Sequence, residues 1–156
     1  MTNKLTPFFA ILILLSCSEV KDKNNIVEST SQPQIQGTWK LLSAQTIIDG
    51  DTTTADYTQG IEAIKMINAT HFSFFQHDLN QGKDSATLFV SGGGKYELHD
   101  DQYKEFLEYC SAREWENNEF EFTVKVNNDT LIQTGVENIP DLNVDRYIIE
   151  TYVRAQ

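Results

Sequence analysis

The chain reads as an all-β protein: an antiparallel up-and-down β-barrel of eight to nine strands. Three observations carry that reading. About nine short apolar or alternating segments follow one another after residue 36, most of them joined by short turns. No stretch sustains an apolar period of 3.6 residues, so no amphipathic helix is expected. Without crossover helices a parallel sheet cannot be wired, and closing an antiparallel meander into a barrel removes its two exposed edges.

The elements follow in chain order. Thr38 to Ile48 is the first strand, with Trp39, Leu41, Ser43 and Ile47 on one side. Asp49 to Asp56 is a loop by its Gly, Asp and Thr content. Ile61 to Ile67 is the second strand, closed by Asn68. Phe72 to Leu79 is the third, with Phe72, Phe74 and Gln76 on one face and Phe75 and His77 on the other. Ala86 to Val90 and Lys95 to Leu98 are two further strands, separated by a glycine-rich kink at Ser91 to Gly94. Tyr103 to Cys110 is the sixth, and Ala112 to Asn118 a connection with room for one helical turn. Phe120 to Val126 alternates cleanly, and Asn127-Asn128-Asp129 is a hairpin signal before Leu131 to Gly135. A loop through Pro140 leads to the last strand, Tyr147 to Arg154.

Upstream of the strands the texture differs. Lys4 precedes an apolar run from Phe8 to Leu15 that ends at Ser16-Cys17. That run is about half the roughly 20 residues of a membrane helix, and its layout is that of a secretory signal peptide over residues 1–16. Leu14-Leu15-Ser16-Cys17 resembles the bacterial lipobox, which implies acylation of Cys17 as the first mature residue. Ser18 rather than Asp follows it, which by the same resemblance implies the outer membrane. Residues 17–36 then read as the lipidated cysteine and a polar tether of roughly 25 Å mean span, and 37–156 as the barrel domain.

Composition narrows the function classes. The formal net charge is −11, and loss of Lys4 with the leader takes the mature chain to −12. Such a surface repels phosphate backbones and anionic headgroups, so nucleic acid is not an expected partner and the membrane is met through the lipid alone. With Cys17 acylated, Cys110 has no disulfide partner, and stability must come from apolar burial.

The first strand opens Gly37-Thr38-Trp39, and Gly-x-Trp at a first barrel strand resembles the lipocalin signature. The blocks Ile64 to Phe72, Gly93 to Leu98 and Tyr103 to Tyr109 are similar to those of small bacterial lipocalin-like lipoproteins of unknown function. The resemblance covers roughly residues 35 to 154. It implies that Trp39 plugs a closed end and that Arg154 stacks over it. The chain lacks the long helix that lipocalins carry before their last strand.

Chemistry-bearing patterns are weak. His71 and His77 share a strand face but lie about 20 Å apart, and His99 sits in an acidic turn, so no metal site is expected. Asp49, Asp51 and Asp56 lack the Gly and Glu of a calcium loop, for Thr54 and Gly60 hold those places. Gly92-Gly93-Gly94-Lys95 continues into a strand, unlike a phosphate loop. No Gly-x-Ser-x-Gly element is present and Cys110 has no neighbouring base, so no catalytic residue and no cofactor is expected. On the sixth strand Tyr103, Glu105, Leu107 and Tyr109 share one face and Phe106, Glu108 and Cys110 the other, and either face could be the inner one.

The expectation is a non-enzymatic envelope lipoprotein that holds a small apolar or amphipathic molecule inside its barrel. Trp39, Phe72, Phe74, Tyr96, Tyr103 and Tyr109 would line or floor the site, with Gln76 and Glu105 as polar anchors. The alternative is an adaptor that binds a protein through its acidic face or open rim. Fold alone does not separate the two.

Overall fold

The computed structural model describes residues 33–83, 85 and 87–156. The leader, Cys17 and most of the tether lie outside the described residues. Nine strands follow one another: β1 (Gly37–Ile48), β2 (Asp51–Asp56), β3 (Ile61–Ile67), β4 (His71–Asp78), β5 (Phe89–His99), β6 (Gln102–Cys110), β7 (Asn118–Asn127), β8 (Thr130–Ile139) and β9 (Val144–Arg154). All pairings are antiparallel. β1 and β3–β9 close into an eight-stranded barrel through the β1–β9 pair, and β2 is an extra strand laid against the outer half of β1.

Closure follows from alternation. On β7, Phe120, Phe122 and Val124 are buried while Glu119, Glu121 and Lys125 are exposed. On this strand apolar residues face in and charges face out. The buried set (Trp39, Leu41, Ile67, Phe72, Tyr103, Phe122, Leu131 and Tyr152 among it) forms one cluster inside the wall.

Several expectations require correction. Residues 51–56 are a fully exposed strand rather than a loop, because their Thr-rich run supplies ladder groups for β1 that side-chain polarity does not reveal. The two strands expected on either side of the glycine kink are one strand, β5, and the irregularity is a bulge where Gly94 pairs with Leu107 and Gly93 with Tyr109. The extra residue belongs to β6, at Glu108. A Cβ on Gly94 would overlap the Phe106 carbonyl oxygen, so the close approach needs glycine. The loop before the last strand is mostly strand as well: β8 runs to Ile139, β9 starts at Val144, and a single 3-10 turn at Pro140–Leu142 joins them. The connection after β6 carries the expected turn, Arg113–Trp115.

The tether also ends earlier than residue 36. Ile35 is buried, and the Trp39 indole Nε1 donates to its carbonyl at 2.6 Å. Arg154 completes this closed end. Its Cζ lies 4.1 Å from the Trp39 ring centroid, and its guanidinium donates to the carbonyls of Gln36 at 2.9 Å and Gln34 at 3.3 Å. The tight turns of β3–β4, β5–β6 and β7–β8 lie at this pole, where Tyr96 Oη donates to Asn68 O at 2.8 Å. The longer connections gather at the other pole.

Candidate functional site

The wall encloses a cavity of about 360 Å3 that opens toward the pole with the longer connections. Its apolar lining includes Leu41, Phe74, Leu107, Trp115, Phe120 and Phe122. β4 delivers Phe74 and Gln76, β6 delivers Glu105 and Leu107, and β7 delivers the two Phe by strict alternation. A larger hollow of about 480 Å3 sits on the outside of β6–β9, lined mostly by outward-facing residues such as Glu119, Glu121 and Tyr147. That hollow is open to solvent and cannot desolvate a guest, so the lumen is the better candidate site.

Across the middle of the lumen runs a charged belt. Lys65 Nζ donates to Glu105 Oε1 at 2.5 Å and to Gln133 Oε1 at 2.8 Å. The ammonium also lies 5.5 to 5.8 Å from the ring centroids of Phe72, Tyr103 and Tyr152. Both members of the ion pair are more than nine-tenths buried. A buried ammonium persists only when its donors are met, and here a carboxylate, an amide oxygen and three ring faces meet them.

Above the belt, Tyr152 Oη donates to Glu150 Oε2 at 2.7 Å. Burial holds the Glu150 carboxyl above its usual range, against the pull of Lys65, with Glu137 and Glu105 pushing the same way as burial. Burial, then the Glu150 charge, pushes the Tyr152 hydroxyl well above its ordinary value. Nearer the mouth, Arg146 Nε and a terminal guanidinium nitrogen both reach Glu137 Oε2 at 2.6 Å. Tyr57 bridges the seam where β1 leaves β3: its backbone N–H donates to Leu42 O at 2.9 Å, and burial raises its hydroxyl pKa. Tyr103 Oη is buried without a hydrogen bond, the one such side-chain atom among the described residues. Burial and the nearby Glu105 charge hold that hydroxyl well above its normal pKa.

Three of the expected lining residues meet at the cavity: Phe74, Gln76 and Glu105. Trp39, Phe72 and Tyr103 are almost fully buried and belong to the packed end, with the Tyr96 ring against Tyr103 at 5.2 Å between centroids and tilted by 51°. They support the cavity from below without lining it. Tyr109 does not reach the site at all, for the bulge at Glu108 turns it outward to 69 % exposure and turns Cys110 into the cavity wall instead. The inner face of β6 is therefore Tyr103, Glu105 and Leu107. A second bulge, between Leu41 and Ser43, likewise removes Ser43 and Ile47 from the face of Trp39.

Comparison with known protein families, curated proteins and solved structures gives no match. The site must be understood from its own chemistry. Sequence reasoning missed Lys65, Gln133, Glu137, Arg146, Glu150 and Tyr152. For Lys65 a signal existed: it sits in phase with Ile61, Ala63 and Ile67, and a lysine on an otherwise apolar strand face needs a buried counter-charge. For Glu150 there was none, since both faces of β9 mix apolar and polar residues. No group of three or more His, Cys, Asp or Glu side chains that could hold a metal occurs among the described residues.

Proposed function

We propose that this protein binds one small amphipathic molecule in its barrel lumen, without catalysis, as a lipid-anchored component of the bacterial envelope. The observation that carries the reading is the lumen itself. An eight-stranded barrel is just wide enough either to fill with side chains or to hold one small guest. This one leaves about 360 Å3 free, within the usual span of small-molecule sites, between aromatic walls and a fixed polar belt. The lipocalin-like character of Gly37-Thr38-Trp39 with Arg154 supports the reading, as do the lipobox at Cys17 and the outer-membrane address implied by Ser18.

Native mass spectrometry of the protein taken from its own envelope tests the proposal. A reproducible adduct that denaturation releases is expected. A clean polypeptide mass in repeated preparations would count against a lumen ligand.

A second reading, an adaptor for a protein partner, draws on the outer face of β4–β6. Phe75, Phe89 and Tyr109 stand there 39, 65 and 69 % exposed. Substituting Phe89 and Tyr109 by Ser should leave an adduct in the lumen unchanged, whereas Phe74→Ala should alter its retention.

A further inference from the structure

The charges around the lumen do not balance. Five ionisable side chains of fixed sign line it: Lys65 and Arg146 against Glu105, Glu137 and Glu150. Lys65 is committed to Glu105 and Gln133, and Arg146 grips Glu137 through two nitrogens. Glu150 is the carboxylate left over. It forms no ion pair among the described residues, and the only hydrogen bond it accepts there from a side chain comes from Tyr152. It projects from the inner face of β9, in phase with Tyr152 and Ile148, so the part of it that solvent can touch faces the cavity.

From this geometry we infer that the ligand is an organic cation, a primary or substituted amine on an apolar body, whose charged head pairs with Glu150. The inference rests on the lumen-binding reading above and narrows it to a ligand class. Three features agree. An amine head supplies the one positive charge the lumen lacks. The aromatic side chains of Phe74, Phe120 and Tyr57 line the same space and favour a cation over an anion or a neutral head, while the Trp115 ring already carries Arg146 at 5.5 Å. The apolar walls accept the body of the guest. An anionic head would instead meet three carboxylates and two cations already engaged.

Burial also holds the Glu150 carboxyl above its usual range, as expected of a group whose counter-charge arrives with the guest. The groups that face it are Lys65 on β3, Tyr103 and Glu105 on β6, Gln133 and Glu137 on β8, Arg146 and Tyr152 on β9, and Tyr57 before β3. Amine affinity should therefore rise with pH as Glu150 loses its proton.

The test uses three matched probes, 4-phenylbutylamine, 4-phenylbutanol and 4-phenylbutyrate, titrated into the protein expressed from the full chain. Calorimetry gives the affinity, and the fluorescence of Trp115 at the cavity wall reports the site. The amine should bind about 10-fold or more tighter than the alcohol, and the carboxylate weakest, since a charge-assisted bond is replaced first by a neutral one and then by repulsion. Glu150→Gln keeps an acceptor for Tyr152 and should bring amine and alcohol within about 2-fold of each other. Glu62→Gln, an exposed carboxylate on the outer wall, should change nothing. If the alcohol or carboxylate binds as tightly as the amine, or if Glu150→Gln preserves the amine preference, the cation assignment is wrong while lumen binding stands. If none of the three binds at millimolar concentration, lumen binding itself fails.

Discussion

Replacing Glu105 by Leu should cost more stability than any single polar contact in the barrel, and replacing Lys65 with it should restore most of the loss. The buried pair has two opposing parts. Desolvating both charges costs several kcal/mol, and their mutual attraction with good hydrogen bonds returns about as much, so an intact pair is close to neutral against an apolar pair of the same volume. Removing one partner leaves the other charge buried alone, which costs about 3–5 kcal/mol. Here Lys65 keeps Gln133 and three ring faces, although those rings stand near the outer limit of a useful cation–π contact. That places Glu105→Leu near the lower end, about 3 kcal/mol. For a domain of this length the loss is roughly 10–15 °C in Tm. Lys65→Met with Glu105→Leu replaces the pair by apolar volume and should return to within about 1 kcal/mol of the parent or exceed it. Urea midpoints with unchanged m-values provide the measurement. If the single and double variants lose the same stability, Lys65 is not stranded when Glu105 is removed, and the belt is hydrated rather than dry.

Other outcomes follow from the same geometry. Tyr103→Phe removes a buried hydroxyl that makes no hydrogen bond and should be neutral or stabilising by about 1 kcal/mol in urea unfolding; a loss above that size would show a bond to Glu105. Tyr152→Phe, in contrast, takes away the donor of Glu150 and should cost about 1–2 kcal/mol. Glu150 is held above its ordinary pKa by burial, so its contribution to stability is present below pH about 4.5 and lost as pH rises through the elevated value. Glu150→Gln should therefore gain on the parent between pH 4 and pH 7.5, and a gap in urea midpoints that stays constant or shrinks over that range would refute the assignment. Arg154→Ala loses the stack on Trp39 and two carbonyl contacts, a total of about 2–3 kcal/mol, with increased exchange of the Trp39 indole proton as a local readout.

The barrel was legible because its alternation is clean where it matters. Phe120 to Val126 announces inside and outside without ambiguity, and the Asn128 turn fixes the β7–β8 register. The candidate site was legible only in part, and the reason is the bulges. Each inserts one residue, and one residue is enough to exchange the two faces of a strand. Tyr109 was carried outward in this way and Cys110 inward. A bulge at Gly94 leaves a trace in the sequence as a run of glycines, yet the residue displaced by it, Glu108, leaves none. The charged belt was hidden for a different reason. Lys65, Glu105 and Gln133 lie far apart in the chain, and a buried ion pair is recognisable only once its partners are known to converge. Glu105 alone hinted at it, as a carboxylate in a row with Tyr103 and Leu107.

Residues 33–36 and 154–155 are pinned together at the Trp39 pole, with Ala155 N–H donating to Thr38 O at 2.8 Å and Arg154 N–H to Asp129 O at 2.8 Å. Both ends of the folded wall thus depart from the sealed base of the cup, on the side away from its rim. A dye, a bead or a fusion partner attached at either end leaves entry to the cup unobstructed. Because the two ends are neighbours, a short splice between them, with new termini cut at the exposed Asn80–Gly82 turn, should yield a permuted chain with the same cup.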